Sequence, residues 1–158
     1  MIEEELWHRV RLIRTALEGR RDGLVTGDVP DGNNSVQVPD GPLEDYYGFL
    51  RGCDGPRCGD IDIWTYSDLE NQQFRIAHLE NEGKLLCIGQ LLYDPLTVEQ
   101  STGLVRLFAQ EPGDEAGESL GRVEYFFRHC VFGEGYGKLV PDPDEDSWYR
   151  LLIELGLA

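Results

Sequence analysis

The histidines, which most often carry acid–base or metal chemistry, form no catalytic or metal-binding pattern in this chain. The three histidines are His8, His78 and His129. No pair has the four-residue spacing with which two histidines on a helix bind zinc, and no His-Glu-x-x-His motif occurs. Apolar periodicity predicts His8 and His129 on helices and His78 in a strand. We therefore interpret all three as surface or hydrogen-bonded structural residues.

The cysteines leave more than one interpretation open. Cys53 and Cys58 are separated by Asp-Gly-Pro-Arg, a turn sequence that could bring the two sulfur atoms together. A structural zinc site would need two more ligands at similar spacing, and a reversible disulfide is the other alternative. Cys87 and Cys130 lie within apolar patterns and are interpreted as core residues. His129 is no base for Cys130, because adjacent residues lie on different faces of a helix.

An acidic segment near the C-terminal end imitates the start of a calcium-binding loop at Asp142, Asp144 and Asp146. The sixth position of that loop would be Ser147 instead of glycine, and the twelfth would be Ile153 instead of glutamate. We therefore predict helix capping as the role of these aspartates. The sequence predicts no catalytic residue, no cofactor and no metal, so an enzyme or metal-binding protein is the least favoured class.

The chain is strongly acidic, with 30 aspartates and glutamates against 14 lysines and arginines and a net charge of −16. A field of this sign repels nucleic acids and anionic membranes, which argues against both as direct partners. The same field accelerates encounter with a basic protein, although acidity can also serve solubility alone. The first residues, Met-Ile-Glu-Glu-Glu-Leu, carry acids where a signal peptide has cations, so we expect a cytoplasmic protein.

Apolar periodicity predicts one α+β domain over residues 1–158, with an antiparallel or mixed sheet packed by helices on one side. Helices are predicted at residues 3–20, 42–52, 120–131 and 147–155. Strands are predicted at residues 59–66, 74–79, 85–92 and 104–108. Residues 85–92 are nearly all apolar, as expected of a central strand covered on both faces. The connectors are a turn at Asp94-Pro95, an exposed acidic loop at 111–119 and a flexible glycine segment at 133–137.

Residues 38–55, VPDGPLEDYYGFLRGCDG, combine a proline–glycine turn with a short amphipathic helix that ends at Gly52 or Gly55. This segment resembles the signature of the SUKH superfamily, which opens with proline, a short acidic stretch, tyrosine, Phe-Leu and a downstream glycine. Further segments are similar to the strands and C-terminal helices of that family: residues 59–66, 85–95, 103–108, 126–133 and 148–152.

The resemblance implies a non-enzymatic binding domain, since many SUKH proteins are immunity proteins that neutralise a bacterial toxin. Its partner would be a cognate toxin or another basic protein, bound by a monomer or weak dimer without contact to nucleic acid or membrane. A scaffold or regulatory module with a non-toxin partner is the alternative.

Contact residues can be proposed at this stage. Six aromatic side chains lie beside core positions and either face a partner or are buried between two layers: Trp64, Tyr66, Tyr93, Tyr125, Phe126 and Tyr136. The residues expected to contact the partner are Glu111, Asp114, Glu115, Glu118, Asp142, Asp144, Glu145, Asp146, Trp64 and Tyr66.

Overall fold

The computed structural model describes residues 1–20, 26–79, 83–109 and 117–158. The α-helices are α1 (Glu4–Glu18), α2 (Glu44–Gly52), α3 (Val123–Tyr125), α4 (Tyr136–Leu139) and α5 (Ser147–Glu154). Two 3-10 helices span Glu70–Ile76 and Pro143–Glu145, and a π-helix spans Phe126–Val131. The strands are β1 (Gly27–Asp28), β2 (Arg57–Cys58), β3 (Ile61–Ile63), β4 (Leu85–Leu91), β5 (Asp94–Glu99), β6 (Leu104–Leu107) and β7 (Glu118–Arg122). The fold is α+β, as predicted.

The described strands form one seven-stranded antiparallel sheet in which each strand pairs with its neighbours in sequence. β4 is the central strand. Its neighbour β5 buries three consecutive residues fully: Leu96, Thr97 and Val98. Because adjacent residues of a regular strand point to opposite faces, both faces of the sheet are covered at its centre, where β4 lies as predicted.

The helices near the two ends of the chain match their predicted positions, because each buries one apolar stripe. α1 buries Leu6, Val10 and Ile13, and α5 buries Trp148 and Leu151 with its neighbour Leu152. The indole Nε1 of Trp148 donates a hydrogen bond to the carbonyl of Val131 at 2.8 Å, which joins α5 to the π-helix. The capping prediction is confirmed for Asp146, whose side chain accepts a bond from the Tyr149 amide at 2.9 Å.

α2 is also confirmed, and its aromatic residues join three helices in the core. Phe49 is fully buried and stacks on Phe127 of the π-helix, with ring centroids 3.8 Å apart. The ring of Trp7 from α1 is also parallel to Phe49, at 5.8 Å. Buried aromatic contacts of this kind contribute roughly 0.5–1.5 kcal/mol each beyond the burial of their area.

The strand predicted at residues 74–79 is wrong, and with it the strand position of His78. The segment Glu70–Ile76 is a 3-10 helix that lies beside β4. β3 ends at Ile63, opposite Gly89, so among the described strands Cys87 pairs only with β5 and has no strand partner on its other side. The side chain of Gln73 takes its place, since it donates to the Cys87 carbonyl and accepts from the Cys87 amide, both at 2.9 Å. A side-chain amide therefore completes the hydrogen bonding that a longer β3 would have supplied.

The predicted strand at residues 59–66 is shorter than expected, because regular pairing is limited to Ile61–Ile63. The predicted turn at Asp94-Pro95 is also wrong. Leu91 pairs with Asp94, so the turn consists of Leu92 and Tyr93, and β5 begins at Asp94.

The helix predicted from residue 120 begins later, at Val123, because Leu120 belongs to β7. A bulge interrupts the pairing of β6 and β7, and Gly121 there has a φ of +85°. The predicted flexible glycine segment is in fact closely packed. A Cβ atom on Gly135 would lie 2.5 Å from the ring Cδ2 of His129, and α4 begins at the next residue.

Candidate functional site

One side of the sheet carries a group of polar and aromatic residues that we call the outer-face strip: Asp62, Trp64, Phe74, Arg75 and Gln90. Asp62 pairs with Gln90 across β3 and β4. Paired residues of neighbouring antiparallel strands point to the same face. The alternating residues Ile61 and Ile63 point to the other face and are buried. The outer-face strip therefore lies opposite the side of β3 that packs into the core.

Hydrogen bonds link the polar members of the outer-face strip. Gln90 Nε2 donates to Asp62 Oδ2 at 3.0 Å, and Arg75 Nη1 donates to Gln90 Oε1 at 3.3 Å. Arg75 Nε donates to Gln72 Oε1 at 2.6 Å, within the same 3-10 helix. These bonds orient the guanidinium of Arg75 over the sheet.

The guanidinium of Arg75 also contacts two aromatic rings. Its Cζ atom is 5.0 Å from the ring centroid of Trp64 and 5.3 Å from that of Phe74. Such cation–π contacts contribute about 0.5–1 kcal/mol at exposed positions. Trp64 is 9% exposed, whereas Phe74 is 68% exposed. The strip thus places a hydrogen-bonded arginine beside a solvent-exposed phenyl ring.

The turn between β4 and β5, which we call the hairpin tip, consists of Leu92 and Tyr93. Their side chains are 44% and 74% exposed. Leu92 has a φ of +56°, the left-handed conformation that two-residue hairpins usually fill with asparagine, aspartate or glycine. This conformation costs a residue with a Cβ atom roughly 1–2 kcal/mol. The positive φ of Leu92 therefore gives no local reason for a large apolar side chain at this position.

Carboxylates lie at the base of the hairpin tip. The Leu92 amide donates to the Asp60 carbonyl at 2.8 Å, so the tip adjoins the turn between β2 and β3. The buried hydroxyl of Tyr136 accepts from the Asp60 amide at 3.0 Å and donates to Asp146 Oδ2 at 2.8 Å. Partial burial, together with the negative charges of Asp146 and Asp62, raises the pKa of Asp60 above its usual value. The charges of Asp62 and Asp146 therefore act on the Asp60 carboxyl at this end of the sheet.

The acidic residues predicted to contact a partner lie in different environments. Asp142 and Asp144 are exposed; Glu145 is exposed and forms an ion pair with Arg150 at 3.6 Å. Asp146 is half-buried and hydrogen-bonded within the fold. Glu118 lies in β7 with an exposed side chain. The predicted residues Glu111, Asp114 and Glu115 lie outside the described residues.

The sequence left open whether the six aromatic residues are exposed to a partner or buried, and the structure contains both kinds. Tyr66, Tyr93 and Tyr125 are exposed. Trp64, Phe126 and Tyr136 are buried. The structure brings Trp64 together with Phe74 and Arg75, which sequence reasoning missed because residues 74–79 were interpreted as a strand. It also missed Leu92, which was assigned to the end of a continuous apolar run.

The cysteine and histidine side chains offer little for catalysis. All four cysteines are free and buried. Burial raises the pKa of Cys53 to about 12 and that of Cys130 to about 11, which opposes formation of the nucleophilic thiolate. His129 stacks on the ring of Tyr125 with a centroid distance of 4.9 Å. Within the described ranges, histidine, cysteine and carboxylate groups form no cluster that could hold a metal ion.

One serine motif has to be considered. Residues 117–121, Gly-Glu-Ser-Leu-Gly, match the Gly-x-Ser-x-Gly pattern of nucleophilic serines. That motif requires the serine at a sharp turn between a strand and a helix. Ser119 instead lies within β7 and pairs with Arg106 of β6. The match is therefore one of sequence and not of geometry.

A cleft of about 290 Å³ is lined by Arg9, Arg128, His129 and Glu134 with residues 156–158. Its arginines are bound by the chain itself. Arg9 donates to Glu5 at 2.9 Å and to the Phe132 carbonyl at 3.0 Å, and Arg128 donates to Glu124 at 3.3 Å. The bond from Arg9 to the Phe132 carbonyl links α1 to the end of the π-helix. Because both arginines are bound in this way, the cleft presents little uncompensated positive charge to an anion.

Comparison with protein-family models, with curated proteins and with solved structures finds no match to this chain. Among the described helices, none combines the length and the apolar character needed to cross a bilayer. The function is therefore inferred from the residues and contacts described above.

Proposed function

We propose that this chain is a non-enzymatic protein-binding domain whose partner is a basic protein. One observation supports this function above others: a preorganised aromatic and arginine strip with an exposed Phe74 ring lies beside a cluster of carboxylates in a chain with a net charge of −16. The resemblance to SUKH proteins suggests the class of partner, a cognate bacterial toxin that the domain would neutralise in the cytoplasm.

The outer-face strip has the composition of a protein-binding surface. Aromatic residues and arginine are enriched at interfaces and carry much of their binding energy. Arg75 is already held by Gln72, Gln90 and two rings. Binding would therefore cost less side-chain entropy than ordering a free arginine, which is about 0.5–1.5 kcal/mol for a flexible side chain.

The charge of the chain suits a basic partner. Exposed carboxylates attract a positively charged protein and accelerate its encounter. A toxin that acts on nucleic acid would carry a basic cleft for phosphates, and the carboxylates of this domain could occupy that cleft. The predicted acidic contacts remain part of this proposal: Glu111, Asp114, Glu115, Glu118, Asp142, Asp144, Glu145 and Asp146.

A second candidate function keeps the same surface and changes the partner to a non-toxin protein that the domain would scaffold or regulate. The two functions differ in their consequence for growth. A toxin expressed alone stops growth, and co-expression of its immunity protein restores it. An enzyme or metal-binding protein is the third and least favoured class. Stoichiometric zinc in the purified protein would favour this class over the other two.

The test uses the product of the open reading frame adjacent to the gene of this chain. We expect that product to co-purify with this chain and its growth inhibition to be relieved by co-expression. Phe74→Ala should weaken both effects. The matched control is Ile153→Ala, because Ile153 is 51% exposed on α5. Absence of binding by the wild-type chain would contradict the proposed function, and binding without growth rescue would favour the scaffold.

A further inference from the structure

We infer that the hairpin tip is the anchor of this interaction and that Leu92 and Tyr93 enter an apolar recess on the basic partner, rimmed by lysine or arginine side chains. This inference rests on the proposed function and names the part of the surface that binds. It also names the chemistry of the partner: an apolar centre within a positively charged rim.

The local structure of the hairpin tip gives the first reason. A two-residue turn with a left-handed first residue favours asparagine or glycine, which tolerate a positive φ. Leu92 occupies that position with a φ of +56°. A residue type that is unfavourable for its backbone conformation, and that gains no packing in return, is expected at functional positions. Leu92 is 44% exposed, so the fold buries only part of its side chain.

The surroundings of the hairpin tip give the second reason. Its amide group is bound to the Asp60 carbonyl, and the hydroxyl of Tyr136 links Asp60 to Asp146. Asp62 lies on the neighbouring strand and faces Gln90. An apolar centre with a charged rim is the usual anatomy of a protein interface. Three carboxylates and one guanidinium, that of Arg75, lie in this region, so its balance of charge is negative and the complementary rim is positive.

The same charge argues against other occupants. A second copy of the chain would bring an identical acidic rim and a net charge of −16 to the contact. An anionic membrane would repel the tip for the same reason. A basic protein is the occupant whose charge compensates the carboxylates, so the inference commits to it.

The central variant is Leu92→Asn, which removes the apolar side chain and places a residue that tolerates a positive φ in the turn. Ile153→Asn is the matched control, because Ile153 has a similar exposure and lies on α5. Binding of the adjacent gene's product would be measured by calorimetry, thermal unfolding by circular dichroism, and oligomeric state by light scattering.

We expect Leu92→Asn to weaken binding by about tenfold or more, as truncation of an interface anchor does, with Ile153→Asn within about twofold of wild type. The melting temperature of Leu92→Asn should equal or exceed that of wild type. Equal affinity of Leu92→Asn and wild type would overturn the anchor while leaving the proposed function intact. No binding by wild type would overturn both.

Two further results would also overturn the anchor. A fall of about 5 °C or more in the melting temperature of Leu92→Asn would show that Leu92 serves the fold. A wild-type dimer that Leu92→Asn converts to a monomer would show that the tip binds a second copy of the chain.

Discussion

The side chain of Gln73 substitutes for a missing strand, and Gln73→Glu tests this role with a change of one atom. In the wild type, Gln73 Nε2 donates to the carbonyls of Leu69 at 2.8 Å and Cys87 at 2.9 Å, while its Oε1 accepts from the Cys87 amide. A glutamate keeps the acceptor and loses the donor. Two carbonyl oxygens would then face a carboxylate oxygen, one of them on buried Cys87.

The loss in the free energy of unfolding can be estimated from those contacts. Each hydrogen bond contributes about 0.5–1.5 kcal/mol, and an unsatisfied buried acceptor costs about 1–3 kcal/mol. We therefore expect Gln73→Glu to lower the free energy of unfolding by about 2–3 kcal/mol. For a domain of this size each kcal/mol lowers the melting temperature by about 2–4 °C, which gives a decrease of roughly 4–12 °C.

The assay is thermal unfolding followed by circular dichroism at about pH 8 and about pH 4, with Gln100→Glu as the control. Gln100 makes an exposed hydrogen bond to the Gly83 carbonyl, so the same change there should cost little. Burial beside carbonyl groups raises the pKa of the introduced carboxyl, and its protonated form can again donate a hydrogen bond. The difference from wild type should therefore shrink at the lower pH. Equal stability of Gln73→Glu and Gln100→Glu would refute the reasoning.

Further changes test the core and the carboxylate cluster. Tyr136→Phe removes a buried hydroxyl that bonds the Asp60 amide and Asp146, so the free energy of unfolding should fall by about 1–3 kcal/mol in a urea titration; no change would contradict the network. Phe49→Ala should lower it by about 3–5 kcal/mol, because the ring stacks on Phe127 in the core, and a loss below about 1 kcal/mol would contradict that packing. Asp60→Asn should stabilise the fold at neutral pH. The raised pKa of Asp60 means that the folded state binds the proton more tightly, so its contribution to stability is present at low pH and lost as pH rises through the folded pKa. The gain in melting temperature should therefore vanish in acid, and a gain that persists there would show that its cause is not the carboxylate charge.

The parts of the fold that the sequence predicted well are those whose signal is local. α1 and α5 each bury one stripe of apolar residues, and the helical period places that stripe without knowledge of the partner surface. β4 was recognised because a nearly continuous apolar run, interrupted only by Gly89 and Gln90, has few alternatives in a mixed fold.

The parts that were predicted wrongly depend on contacts distant in sequence. The 3-10 helix Glu70–Ile76 is held by Gln73 against Cys87, and no local pattern indicates that β3 ends too early to cover that edge. Leu120 fits a helical stripe with Val123, yet pairing of β7 with β6 keeps it in a strand. Tertiary pairing overrode local preference in both places.

The sequence placed Tyr93 among six aromatic residues that either face a partner or are buried, and the structure exposes it at the hairpin tip. The predicted contacts themselves stay predictions. Leu92 was missed because its apolar side chain continued the pattern of β4, whereas a turn is normally marked by glycine or asparagine. Phe74 and Arg75 were missed with the 3-10 helix that carries them.

The central claim is that this domain binds a basic protein through an acidic surface with an apolar anchor. The most direct measurement is a calorimetric titration of the purified chain with the adjacent gene's product at about 50 mM and about 500 mM salt. The account predicts a complex at low salt whose dissociation constant rises by about tenfold or more at high salt, because salt screens the attraction between exposed charges. No heat of binding at either salt concentration, or an affinity that salt leaves unchanged, would contradict it.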